Sequence, residues 1–497
     1  MPSGLILAID QGTTNTKALL VAPTGERVYR ASCPVALVHG MYGHVEQDPL
    51  ALWESVCESI AGCVQYAEQN GETIEAVAIS NQRETALAWD AATGKPIAHA
   101  ISWQCGRSAD ICHRLKSQAG TIRAKTGLPL ATLISAGKWA WLLENDAAVQ
   151  ECARSGRLRL GTVDSWLVHQ FTKGTVHATD LSNASRTGLL NLDQLVWDRE
   201  LLDLFGIPFD SLPELRSSCG FFGTCDGISG LDEVPVMAAM GDSHAAMFGH
   251  GRYSPGTAKA TYGTGSSLMS LSSNLAADTP ALARTIAWSI DGQTQFALEG
   301  NIAMTGAAVQ WVGEFLHLGD PVHAAASLAA TVTDAGGVYF VPAMVGLGAP
   351  HWDAAARGTI TGLGRAHTRA HLARAALDAI AYQVADVFVA MQATSNLDLP
   401  ALHADGGATR NSVLMQMQAD ILGKPVLRAA NEELSAIGAA WMAGLALGWW
   451  TSLAELAELP HAIDSFIPHM HETARCRLYS GWKIAVKHAR LIAEEGS

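Results

Sequence analysis

The chain begins with an apolar run, LILAID (5–10), interrupted by the polar turn QGTTNT (11–16) and resumed as KALLVA (17–22), after which Thr24-Gly25 turns it again. Two apolar runs flanking a Gly/Thr turn predict a strand–turn–strand unit. From Trp53 onward the period lengthens. Val56, Cys57, Ile60 and Val64 recur at helical spacing, which predicts an amphipathic helix over 49–68 closed near Gly71. IEAVAIS (74–80) is again continuously apolar and predicts a buried strand. Strands alternating with helices imply an α/β architecture whose sheets are covered on their faces.

The same grammar restarts in the second half. GTVDSWLVHQF (161–171) and VPVMAAM (234–240) lead to Gly241-Asp242, and GHGRYSPGTAK (249–259), with its glycines and proline, reads as a link between domains. ATYGTGSSLMSL (260–271) again sets a Gly/Thr turn between two β-type runs. Leu372, Ala376, Ala379, Gln383 and Val387 share one helical face, and ALHADGGATRN (401–411) runs from strand into a glycine turn. No solenoid period or low-complexity tract appears. The expected organisation is two domains, 1–251 and 252–497.

One segment calls for a membrane test. Residues 434–454 carry no charge and are long enough to span a bilayer. They are rich in Gly and Ala, however, and their flanks are acidic (Glu432, Glu433, Glu455, Glu458), where an anchored helix normally shows Lys or Arg. A helix buried in the protein is predicted instead, and the apolar run at Leu5–Ile9 is too short for a secretory signal. The nine cysteines are scattered, with no Cys-x-x-Cys, so reduced thiols in a cytoplasmic protein fit better than a disulfide scaffold or a zinc module.

Composition narrows the partners. Hydrophobic residues make up 48% of the chain and charged ones 16%, which excludes intrinsic disorder. Acidic residues outnumber basic ones 47 to 33, and the net charge of −14 argues against nucleic acid or an anionic membrane surface. A small-molecule substrate is left.

Three polar glycine turns each follow an apolar run: DQGTT (10–14), YGTGS (262–266) and DGGATRN (405–411). Glycine admits close approach of a phosphate, successive N–H groups and Thr hydroxyls donate to it, and a strand-end carboxylate such as Asp10 suits hydrated magnesium. Hairpins also use Gly and Thr for purely structural reasons; the weight lies in their combination across both halves. No P-loop, dinucleotide fingerprint or nucleophile elbow is present. NQRET (81–85), after the IEAVAIS strand, offers an Arg–Glu pair that could hold vicinal hydroxyls, the alternative being a surface ion pair. Asp242 is a second candidate carboxylate, or else a cap for the helix SHAAMFG. His244 has no partner motif and reads as a helix-surface or core histidine.

Longer stretches now carry a resemblance. NQRETALAWDAATGKPIAHAISWQCGR (81–107), VDSWLVHQFTKGTVHATDLSNASRTGLLNL (163–192), ALEGNIAMTGAAVQW (297–311) and DGGATRNSVLMQMQADILG (405–423) resemble the glycerol kinases. GTITGLGRAHTRAHLARAALD (358–378) resembles the second signature of the FGGY carbohydrate kinases. The resemblance implies two RNase H-like domains, of the actin and hexokinase type, whose interdomain cleft closes over ATP and a small polyol or sugar. It implies that Asp10 approaches Mg2+ and the γ-phosphate, while Thr13, Thr14, Asn15 and Lys17 hold phosphates from the first turn. Thr264, Gly306, Gln310, Gly407 and Asn411 match nucleotide-contacting positions of the second domain. Arg83, Glu84 and Trp103 match acceptor-binding positions, and Asp242 the general base.

Three acceptor positions depart from the glycerol kinase pattern: Leu133 replaces a tyrosine, Ser243 a glutamine, and Ser267 an aromatic residue. All are smaller, and two add hydroxyls. They imply an acceptor of four or five carbons, with glycerol itself the alternative; a ketopentose kinase, a non-catalytic ATPase switch and a homo-oligomer stay open. CDGISGLDEVP (225–235) lacks a Gly-Gly-x-Arg, so a sugar-bisphosphate feedback loop is not expected there.

Overall fold

The structure, a computed structural model, describes residues 4–273 and 280–494. The first two apolar runs pair as an antiparallel hairpin, β1 (Leu5–Gln11) and β2 (Asn15–Val21), with Asp10 opposite Lys17. β3 (Arg27–Pro34) continues antiparallel on β2. On the other side of β1 lies β4 (Ile74–Asn81) in parallel, followed by β6 (Pro235–Gly241), parallel to β4, and β5 (Cys219–Thr224) at the edge. The register matters for function. Asp10, Ser80 and Met240 lie level, as do Gln11, Asn81 and Gly241, so three parallel strands finish together at their carboxyl ends.

Alternation along the strands sends successive side chains to opposite faces. Leu5, Leu7, Ile9, Val77 and Ile79 join one core with Val56, Ile60 and Val64 of the Pro49–Asn70 helix and with Trp166, Leu167 and Phe171 of the Val163–Phe171 helix. The first of these helices has the expected signals: Asp48 caps it by accepting from the Leu50 amide at 2.9 Å, and Gly71 closes it at φ 69°. The opposite sheet face presents Ile6, Ala8, Ala76 and Ala78, and there the Leu434–Ala446 helix packs.

That helix is shorter than the uncharged 434–454 segment suggested. It ends at Ala446 because Gly448 takes φ 75° and the Trp449 amide folds back to the Gly444 carbonyl at 2.8 Å. Its glycines serve packing: it lies directly on the Asp242–Gly249 helix, where a Cβ on Gly438 would stand 1.9 Å from the Ala245 carbonyl oxygen. Among the described residues, no helix is long and apolar enough to cross a membrane. His244, the second residue behind Asp242, is a core residue, its Nε2 lying 3.1 Å from the Thr285 hydroxyl.

The second sheet repeats the plan of the first. β7 (Ala258–Tyr262) and β8 (Ser266–Ser272) form an antiparallel hairpin, and β11 (Leu402–Asp405) runs parallel to β7 as β4 does to β1. With β9 (Ala283–Ile290), β10 (Gln293–Ile302), β12 (Val426–Ala429) and β13 (Ile463–Phe466), the order is β9-β10-β8-β7-β11-β12-β13. The Arg369–Ser395 helix buries Ala376, Ala379, Gln383 and Val387 on the predicted face, with Leu372 half-buried.

The chain divides into two compact units. One contains residues 4–253, Arg284–Phe296 and Glu433–Pro460, the other 254–273, 280–283, Ala297–Glu432 and 461–494. The chain thus crosses between units several times, where the sequence suggested one division near 251. Close backbone contact at Gly438 leaves no room for a side chain. Gly438→Ala is expected to lower stability by about 1–3 kcal/mol through overpacking, whereas Gly120→Ala, in the Ala119–Thr126 helix with nothing within 4 Å, is expected to raise it by roughly 0.5–1 kcal/mol. Thermal and denaturant unfolding of the two variants checks the opposite signs.

Candidate active site

The carboxyl ends of β1, β4 and β6 bring a set of charged groups together inside the first unit. Asp10 is buried at the end of β1, where it accepts a hydrogen bond from the Ser80 hydroxyl at 3.1 Å, with Lys17 Nζ 4.0 Å away. Burial pushes its carboxyl up to about 6 against the opposing pull of Lys17, and the nearby charges of Asp242 and Glu433 add to the rise. Lys17 in turn pairs with Glu433 at 2.7 Å, and Arg30 with the same carboxylate at 3.0 Å. In the sequence Glu433 reads only as an acidic flank of the 434–454 segment, with no role at the site; it lies far along the chain, and only the return of its segment to the first unit brings it to Lys17.

The first turn is held from beneath. The Gly12 amide donates to the Asn15 carbonyl at 2.9 Å, which closes the hairpin and leaves Thr14 and Asn15 exposed. Gln47 donates to the Thr13 carbonyl at 2.8 Å, and the Trp103 indole donates to the Thr13 hydroxyl at 2.9 Å. Gln82 donates to Gln11 and to Gln47, each at 3.0 Å, and receives the Thr85 hydroxyl at 2.9 Å. A buried amide network therefore ties Trp103, expected at the acceptor, to Thr13, expected at the phosphates. Gln11 and Gln82 lie within DQGTT and NQRET without being singled out there, and Gln47 lies in no motif.

Arg83 and Glu84 leave the end of β4 toward different partners. Arg83 Nε meets Asp242 Oδ1 at 3.2 Å. The Glu84 carboxylate instead accepts from Arg186 Nε at 2.7 Å, both side chains being almost wholly buried. The two are thus buried side chains of separate pairs and not the exposed neighbour pair that NQRET also allowed. Glu84 holds φ 61°, an uncommon conformation for a residue with a Cβ, and its carbonyl accepts from the Ser135 hydroxyl at 3.1 Å and Lys138 Nζ at 3.3 Å. Burial lowers the Lys138 ammonium to about 8. Lys138 also donates to the carbonyls of Leu133 and Ile134, which fixes the backbone beside Leu133.

Asp242 is the first residue of the Asp242–Gly249 helix; the N-cap is Gly241, without a side-chain cap bond, so Asp242 is not the cap that the sequence also allowed. The Ser243 amide donates to its Oδ1 at 2.6 Å, and Ser243 itself is buried. Unlike Arg83, Asp242 keeps 39% of its side chain exposed.

The second unit brings its own predicted residues to the ends of β7 and β11. The helix beginning at Gly306 starts directly on the β7–β8 turn: the Gly306 amide donates to the Gly263 carbonyl at 3.0 Å and the Ala307 amide to Thr264 at 3.0 Å. A Cβ on Gly306 would lie 2.6 Å from the Gly263 carbonyl, and one on Gly406 2.5 Å from that of Tyr262, so glycine is required for these turns to meet. Thr264 and Gly407 are exposed there. Two predicted residues are engaged locally. Asn411 caps the Ser412–Leu422 helix by accepting from the Val413 and Leu414 amides, and Gln310 donates to Glu314 on its own helix at 2.8 Å. Ser267 donates its hydroxyl to the buried Glu299 at 2.9 Å.

Residues 5–249 match the N-terminal domain of the FGGY family of carbohydrate kinases, and residues 258–447 its C-terminal domain. The chain is 45% identical over 494 residues to a glycerol kinase of Caldanaerobacter subterraneus subsp. tengcongensis, with 99% of each protein covered. It is 44% identical over 498 residues to one of Symbiobacterium thermophilum, with 100% of each covered. Among solved structures, glycerol kinase of Plasmodium falciparum with ADP aligns at TM-score 0.90 and 30% identity over 98% of each chain. A xylulose kinase of Rhodospirillum rubrum aligns at TM-score 0.85 over 99% of this chain and 100% of its own, and at 24% identity it speaks to the fold alone.

A carboxyl raised to about 6 binds its proton more tightly folded than unfolded, so its contribution is favourable at low pH and is lost as pH rises through about 6. Asp10→Asn removes that dependence. The stability of Asp10→Asn relative to the parent is expected to climb between about pH 4 and pH 6.5, by on the order of 2 kcal/mol, and to level off above. Urea titrations across this range check it; a pH-independent difference would contradict the assignment of burial as the dominant influence on Asp10.

Proposed function

The chain belongs to the FGGY family of carbohydrate kinases, ATP-dependent phosphotransferases with an alcohol acceptor, and from this we propose that it transfers the γ-phosphate of ATP to a terminal hydroxyl of glycerol, in the cytoplasm. The observation that carries the reaction is Asp242: a strand-end carboxylate paired with Arg83 at 3.2 Å, yet still 39% exposed and able to meet a ligand. In the proposed step Asp242 accepts the proton of the acceptor hydroxyl as its oxygen bonds to the γ-phosphorus. The bond from that phosphorus to the β–γ bridging oxygen breaks, and ADP leaves. Such transfers depend mainly on positioning and on neutralising charge. Arg83, Glu84 and Trp103 would orient the acceptor, while Thr13, Thr14, Asn15, Lys17 and the second-unit positions Thr264, Gly306, Gln310, Gly407 and Asn411 would hold ATP.

Asp10 offers oxygen ligands near the further carboxylates of Asp242 and Glu433, which suits hydrated magnesium; among the described residues no cluster of three or more His, Cys, Asp or Glu would enclose the ion entirely. When bound, the ion neutralises phosphate charge. Lys17 is held beside Asp10 by Glu433 and so is poised near the same phosphates.

Glycerol is favoured over the four- or five-carbon acceptor that the sequence suggested. Relatives 43–45% identical over nearly the whole chain are glycerol kinases. Moreover, one of the two added hydroxyls, that of Ser267, donates to Glu299, so its single proton is not offered to a longer acceptor. The smaller side chains at Leu133 and Ser243 keep the longer polyol as the second reading. An acceptor screen decides: kcat/KM for glycerol is expected to exceed those for tetritols, pentitols and ketopentoses, and a pentitol in first place would reverse the choice. Asp242→Asn is expected to lower kcat by about 10²–10⁴-fold while ATP still binds by calorimetry. Hydrolysis of ATP indifferent to any polyol would instead favour a nucleotide switch.

A further inference from the structure

Glu84 is set in place by groups that the reaction as described does not use. Its left-handed backbone at φ 61° is a conformation that surrounding contacts must maintain. Ser135 and Lys138 supply them at the carbonyl, at 3.1 and 3.3 Å, from the Ser135–Asn145 helix. The carboxylate is fixed separately: Arg186 Nε donates to Glu84 Oε1 at 2.7 Å, with side-chain exposures of 2% and 5%. Arg186 follows the short Leu181–Ala184 helix, whose start is capped by the buried Asp180 through the amides of Ser182 and Asn183 at 2.8 and 2.9 Å. Asn183 is tied to Asn81 at the end of β4 by reciprocal amide bonds of 3.0 and 3.1 Å. The arginine and the strand that delivers Glu84 are thereby locked to one frame.

A buried ion pair is a poor device for stability, since an apolar pair of similar volume often does as well. It does ensure that a carboxylate keeps its charge and its direction away from water. We propose that Arg186 is a positioning residue for the acceptor: it does not touch the acceptor but holds the Glu84 carboxylate in place, aimed to receive the acceptor's hydroxyl protons. This rests on the reading of Glu84 as an acceptor-binding group. One oxygen of Glu84 is taken by Arg186, and the other lone pairs of the carboxylate are what the acceptor would meet. Neutral replacement of Arg186 leaves a buried carboxylate without its hydrogen-bond donor and free to turn, which mismatches it to the acceptor's hydroxyls.

Steady-state kinetics of the full-length protein with glycerol and ATP test this, with Glu84→Gln, Arg186→Met, Arg186→Lys and the double variant Glu84→Gln/Arg186→Met. Arg186→Met is expected to raise the glycerol KM by about tenfold or more while the ATP KM stays within about twofold, and Arg186→Lys to recover part of the loss. The double variant is expected to be no worse for glycerol than Glu84→Gln alone, because the arginine acts only through the glutamate. An unchanged glycerol KM in Arg186→Met beside a raised one in Glu84→Gln overturns the proposal and leaves the acceptor reading intact. Additive effects in the double variant, or equal rises in both KM values, also overturn it. If Glu84→Gln itself leaves the glycerol KM unchanged, the acceptor reading falls and the proposal with it. Should Arg186→Met fail to fold, Arg186→Lys decides: a higher glycerol KM at an unchanged thermal midpoint supports positioning, and an unchanged KM refutes it.

Discussion

Everything at the candidate site depends on the register of three parallel strands. Because Asp10, Ser80 and Met240 lie level, the chain leaves β1, β4 and β6 at the same height. The residues that follow, Gly12, Gln82 and Asp242, then start from the same height, and Arg83, one residue beyond Gln82, meets Asp242 at 3.2 Å. Carboxyl ends of parallel strands are where open α/β sheets generally place ligands, because strand-end amides and helix starts converge there. A slip of one residue in β4 would turn Ser80 from Asp10 and carry Arg83 away from Asp242. The alternation of large and small side chains in IEAVAIS opposes it, since the slip would put Ala76 and Ala78 where Val77 and Ile79 fill the core.

The cluster gathered at this height is electrostatically tense. The charges of Asp242 and Glu433 raise the cost of ionising Asp10, and Lys17 only partly meets it. Burial is the largest source of the tension at Asp10. An arrangement of this kind is poorly explained by stability, for which apolar packing would serve better, and well explained by a ligand that brings both phosphate and countercharge. The second unit has a different character: its turns at Gly263–Gly265, Gly306 and Gly406 meet through backbone groups, and glycine is present because carbonyl oxygens occupy the space a Cβ would need.

Much of this was legible in the sequence, and the reasons for the remainder are physical. The hairpins, the Pro49–Asn70 helix and the strand ending at Asn81 announce themselves by period and punctuation, which are local properties. Asp10, Arg83 and Asp242 could be singled out because each stands where an apolar run stops. Arg186 and Glu433 could not, since their roles arise from contacts between segments far apart in the chain and leave no local trace. The surface ion pair that NQRET also allowed is not formed, for the same reason: at the left-handed turn of Glu84 the two side chains go to separate, distant partners. The length of the helix from Leu434 was overestimated because absence of charge marks burial and says little about where a helix stops; Gly448 was the stop signal.

The Glu433–Pro460 segment also governs the order in which the molecule can be made. It supplies the helix that covers Ile6, Ala8, Ala76 and Ala78 and the carboxylate that meets Lys17 and Arg30. During synthesis on the ribosome the six strands of the first sheet all emerge well before it, so one apolar face waits, bare, while nearly the whole second unit is translated. Domains commonly fold in the order they are made, amino-terminal first. Here the first unit to appear is among the last to be completed, and a nascent chain halted anywhere between β6 and Leu434 presents an open sheet face to chaperones, proteases and its own neighbours on the polysome.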